Sequence, residues 1–131
     1  MSRLEKAVRL YGGDFLPDAL YDNWAGEERE RLLALYLRAA NRLAEGLIER
    51  GDFDEGLATC QAILARDSCW EQAYRLMMTA YARQGNRPQA LRTYQRCVSA
   101  LQDDLGLAPS AATVTLYERI AQTGDDVVTA V

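Results

Sequence analysis

Apolar positions recur with a helical period in two long runs. The first is Leu33, Tyr36, Leu37, Ala40, Leu43, Ala44 and Leu47, and the second is Ala73, Tyr74, Met77, Met78 and Tyr81. Spacings of three and four residues put each set on one face of an α-helix. No segment alternates with a period of two, so no sheet is predicted. Helices are expected near residues 3–11, 24–50, 53–66, 69–84, 87–103 and 111–122.

Local punctuation supports these limits. Gly51 and Gly85 follow the two runs and suit the left-handed residue that ends a helix. Ser68 with Glu71 reads as an S-x-x-E capping box, and Asn86 with Gln89 can do similar work, with Pro88 tolerated in the first turn. Pro109-Ser110 stops one helix and opens another. A helix unbroken from Trp24 to Arg50 spans about 40 Å, with Asp22 or Asn23 as its cap and Glu27, Glu28 and Glu30 complementing its dipole. Gly26 and Gly46 are its weak points.

The two runs belong to a repeat. GDFDEGLATCQAILARD at 51–67 aligns with GNRPQALRTYQRCVSAL at 85–101, sharing Gly, Leu, Thr and Gln at an interval of 34 residues. That interval, with a small residue five positions after the glycine (Gly56, Ala90), is the spacing of tetratricopeptide repeats. Two units are expected, at 37–70 and 71–104, within a single domain over 1–123 followed by a flexible tail at 124–131. Met78, where the pattern wants a small residue, and Ser68, where it usually ends in Pro, depart from it. The predicted fold is all-α, a right-handed superhelix of antiparallel helix pairs.

In such scaffolds the first helix of each unit lines a concave groove. The positions facing it here are Arg38, Asn41, Glu45 and Ile48, then Gln72, Arg75, Thr79 and Arg83. Arg75, Thr79 and Arg83 recur every four residues and form a polar, partly cationic stripe suited to an acidic peptide segment. The alternative is a plain solvated face. Tyr74, Tyr81 and Tyr94 fall at packing positions, while Phe15 and Trp24 bracket a Pro-containing turn expected to fold back on the long helix.

Composition removes several kinds of chemistry. With no histidine, no G-x-S-x-G elbow and no phosphate-cradling glycine loop, no active site, cofactor or metal is expected. Cys60, Cys69 and Cys97 form no C-x-x-C pair and read as small packing residues. Glu28 with Glu30 and Asp103 with Asp104 read as surface charge. The net charge of −4 gives no attractive field for nucleic acid, and no signal peptide or membrane span is apparent. A cytoplasmic location is expected.

Three separated blocks carry a resemblance. Gly13-Asp14-Phe15-Leu16 precedes Trp24 and Arg29-Glu30-Arg31-Leu32; Trp70-Glu71 is followed by Ala73-Tyr74; Leu105-Gly106 and Pro109-Ser110 precede Leu116-Tyr117. In this order they resemble the bacterial transcriptional activator domain, the helical domain of the antibiotic regulatory protein family, over residues 4–120. The resemblance implies a domain that follows a winged-helix or helix-turn-helix DNA-binding domain. It also implies that the domain contacts the transcription machinery, such as RNA polymerase, self-associates or relays a signal. The chain starts at the first helix of that domain, so the DNA-reading part is expected to be missing and the chain to be an excised piece of a larger regulator. A general repeat adaptor holding an acidic segment of a partner protein is the runner-up.

Overall fold

The computed structural model describes residues 26–123. All regular structure among them is helical: α1 (Gly26–Glu49), α2 (Phe53–Arg66), α3 (Glu71–Arg83), α4 (Arg87–Leu105) and α5 (Ala111–Thr123). The helix expected at 3–11, the Phe15–Trp24 turn, the Asp22 or Asn23 cap and the tail at 124–131 lie outside the described residues. The architecture is tetratricopeptide-like, with α1 packed on α2, α3 on α4, and α5 against the last pair.

The 34-residue repeat holds at the level of single hydrogen bonds. Gly51 has φ 87° and Gly85 φ 77°. Gly51 N donates to Ile48 O (3.0 Å) and Asp52 N to Leu47 O (2.8 Å); one period later Gly85 N donates to Ala82 O (3.0 Å) and Asn86 N to Tyr81 O (2.8 Å). Both pairs of bonds satisfy carbonyls that a helix end leaves open, and both need a left-handed residue that only glycine adopts cheaply. The shared threonines match as well, since Thr59 Oγ1 donates to Glu55 O at 2.8 Å and Thr93 Oγ1 to Gln89 O at 2.9 Å. The repeat is thus a recurring turn and not a chance of spelling.

The main core lies between α1, α2, α3 and α4, where Tyr36, Ala40, Ala44, Ile63, Tyr74, Met77 and Cys97 are buried. A second core joins α3, α4 and α5 through Met78, Ala82, Ala90 and Ile120. Met78 departs from the repeat pattern because its neighbour includes Ile120 of α5, and a long flexible side chain fills the space there. Tyr94 and Tyr117 stack across the same junction, their ring centroids 4.0 Å apart.

Two predicted helix limits need correction. The Ser68–Glu71 capping box does not form: Trp70 occupies the cap position with no side-chain bond, and α3 starts at Glu71. Ser68 Oγ instead donates to Asp104 Oδ2 (2.7 Å), a charged acceptor brought in by the end of α4. The second concerns the end of α4, which Gly106 sets with a φ of 64° and its amide on Gln102 O, several residues before Pro109. The Asn86 cap does form, accepting from Gln89 N. α1 keeps Gly46 inside the helix, where an added Cβ would meet nothing within 4 Å.

Candidate functional site

A depression of about 470 Å³ runs between α1, α3 and α5. Its walls include Glu45, Ile48 and Glu49 from α1, Gln72, Arg75, Leu76, Thr79 and Arg83 from α3, and Leu116 from α5. The structure therefore brings Glu45, Ile48, Gln72, Arg75, Thr79 and Arg83 to one place. Arg38 is exposed on α1 away from it. Asn41 is only 7% exposed. It accepts from Trp70 Nε1 (3.1 Å) and donates to Glu45 Oε1 (3.0 Å), so it ties α1 to the residue that precedes α3 and orients Glu45.

The two arginines are engaged within the domain. Arg83 Nη1 donates to Ile48 O (2.6 Å), one of the carbonyls at the end of α1, and its guanidinium lies 5.1 Å from the Phe53 ring centroid. A cation on the last carbonyls of a helix is favourable for its dipole. Arg75 Nη1 donates to Thr113 Oγ1 (2.9 Å) and sits 3.5 Å from Glu71 Oε2. Arg75 is thus ion-paired within the domain, and Arg83 is fixed in place by it.

Glu71 is the centre of a compact node. Its carboxylate accepts from Ser110 N (3.0 Å), Ser110 Oγ (2.8 Å) and Thr113 Oγ1 (2.5 Å). Ser110 precedes the first residue of α5, and Thr113 is fully buried, so Glu71 satisfies the amino-terminal end of a helix two elements away. Burial pushes its pKa up, but the hydrogen bonds from Thr113 and Ser110 and the Arg75 charge outweigh this and hold it below the usual value. At the other end of α5, Arg87 donates from Nε to Ile120 O (2.9 Å) and from Nη2 to Ala121 O. The helix that closes one end of the depression is thus held at both ends by side chains of opposite sign.

This node joins the second and third of the sequence blocks carrying the resemblance. Glu71 of the Trp-Glu-x-Ala-Tyr block meets Ser110 of the Leu-Gly-x-x-Pro-Ser block, Trp70 reaches Asn41, Tyr74 OH donates to Ser68 O (2.7 Å), and Tyr117 stacks on Tyr94. The model of the bacterial transcriptional activator domain matches residues 1–121. The chain belongs to this family. Among curated proteins none matches it. The activator domain is a regulatory unit of transcription activators, and here Glu71 and Tyr117 of the second and third blocks help to fix α5 on the repeats.

Sequence reasoning missed Glu49, Leu76 and Leu116 in the depression of the activator domain, and Glu71, Ser110 and Thr113 behind it. Glu49 carried a signal, being one turn after Glu45 at a helix end. Glu71 carried a misleading one, because a local capping motif cannot show that a distant helix offers better donors. No helix among the described residues is long and apolar enough to cross a membrane. On the outer face, Tyr74, Arg92, Gln95, Arg96 and Ser99 line a shallower depression of about 410 Å³.

Proposed function

We propose that the chain is the protein-interaction domain of a bacterial transcription activator, a single cytoplasmic unit over residues 1–123 that works by contacting other proteins and performs no catalysis. Its contact surface is the depression between α1, α3 and α5, and its partner is the transcription machinery or a second copy of itself. DNA is read by a separate winged-helix domain. The observation that carries this reading is the convergence of groove positions from both repeats and from α5 on one concave surface, a geometry that repeat scaffolds use for binding. The general-adaptor alternative needs Arg75 and Arg83 as free cations, and both are engaged inside the domain.

The test is binding of the chain to bacterial RNA polymerase holoenzyme by interferometry, with sedimentation to follow self-association. Gln72→Trp and Thr79→Arg are the blocking variants. Charge reversals at Arg75 or Arg83 are unsuitable, because they would break contacts that hold the fold. Saturable binding or self-association lost in the variants supports the reading. Binding retained in both moves the surface elsewhere. Absence of both activities at roughly 50 μM, a weak-contact limit, overturns it.

A further inference from the structure

The charge and shape of the depression name the kind of segment it takes. We infer that its occupant is a cationic, apolar-anchored segment of a partner protein, with Lys or Arg side chains one helical turn apart; this rests on the depression being the contact surface proposed above.

Carboxylates outnumber the unpaired cations in the depression. Glu45 and Glu49 stand one turn apart on the α1 wall, and both are exposed. Glu45 accepts one bond, from Asn41, which leaves most of its lone pairs open. Glu49 has no side-chain partner among the described residues. On the opposite wall Arg75 is paired with Glu71 and bound to Thr113, which leaves Arg83, held over Phe53 on the Ile48 carbonyl, as one cation against these two carboxylates.

The placement of Glu49 is unfavourable for α1 itself. Like charges four residues apart repel, and a carboxylate in the last turn faces the negative end of the helix dipole. The last turn of α1 contains no basic residue. Arg50 does not relieve Glu49, because it bridges to Asp52 at 3.2 Å. A pair that weakens its own helix, lies in a concave surface and has no ion-pair partner among the described residues is arranged for a cation from outside. On the other walls, Leu76 of α3 and Leu116 of α5 provide apolar surface for an anchoring side chain. Cations on a helical ligand separated by one turn, about 5.4 Å along its axis, match the Glu45–Glu49 spacing.

The experiment uses the full chain and two fluorescent amphipathic peptides that share a Leu face and differ only in flanking Lys or flanking Glu. The wild type is expected to bind the Lys peptide about tenfold more tightly at low salt, with the advantage shrinking as salt rises. Glu45→Lys/Glu49→Lys is expected to invert the order. Glu49→Lys alone, which removes no internal bond, is expected to weaken the Lys peptide about threefold. Thermal melts verify that each variant is folded. Equal affinity for the two peptides, no binding of either, or a Lys-peptide affinity unchanged by both variants overturns the inference. If it is overturned while Gln72→Trp still abolishes polymerase binding or self-association, the contact surface stands and only its charge preference is wrong.

Discussion

Gly56 lies against Ile48 so closely that a Cβ on the glycine would fall 2.6 Å from Ile48 Cγ1. One repeat later the corresponding residues are Ala82 and Ala90, both buried. The same helix crossing is therefore packed as large-against-none in the first unit and small-against-small in the second. Gly56→Ala should destabilise the domain by about 1–3 kcal/mol through overpacking, despite its better helix propensity. Ile48→Ala alone should cost about 2–5 kcal/mol. The double variant reproduces the Ala–Ala pair and should be more stable than Ile48→Ala; urea unfolding in a double-mutant cycle reads this coupling.

The anchoring of α5 gives a second prediction. Glu71→Ala and Arg87→Ala should each cost about 1 kcal/mol, in the range of a lost cap or dipole contact. Because both act on the same helix, the double variant should cost less than the sum. Hydrogen exchange should show faster exchange along α5 than along α2 or α3 in both single variants. Uniform acceleration across all helices would mean that α5 does not open separately.

Glu71 also sets an acid response. Its folded pKa lies below the ordinary 4.5, so unfolding takes up a proton between the two values. The stability it contributes is present above that ordinary value and is lost as pH falls through the folded pKa. Acid titration of unfolding should therefore show a steeper loss below about pH 4.5 in the wild type than in Glu71→Gln.

At the end of α1, Glu49→Lys should raise stability by about 0.3–1 kcal/mol by matching the dipole and removing a like-charge pair. Guanidinium unfolding at low ionic strength measures it. A stabilised variant that binds its cationic probe less well would separate the two demands on this residue.

The cysteines should differ in reactivity. Burial pushes the Cys60 thiol up to about 12 and the Cys97 thiol up to about 11. Cys69 is raised by burial and by Asp104 against a lowering contact from Ser68, and it is half-buried, with Sγ on Ala100 O at 3.6 Å. Under native conditions a thiol reagent should label Cys69 first, and slowly, while Cys60 and Cys97 react only at the rate of unfolding.

Hydrophobic period and glycine position determined the helices, their 34-residue recurrence and the face each buries, because these depend on interactions within a turn or two of the chain. The turns at Gly51 and Gly85 and the Asn86 cap were legible for that reason, whereas of the positions expected to face a groove Arg38 and Asn41 do not line the depression. The sequence left open what the groove residues do once assembled. Arg75 and Arg83 read as free cations because their partners, Thr113 and the Ile48 carbonyl, are 38 and 35 residues away. Glu71 read as a local cap because Ser110, which it actually serves, is 39 residues distant. Charge-assisted bonds of this kind go to whichever donor or acceptor the packed helices bring near, and only the tertiary structure decides which that is. Those bonds pair Arg75 with a carboxylate and fix Arg83 on a helix end, while Glu45 and Glu49 stay exposed.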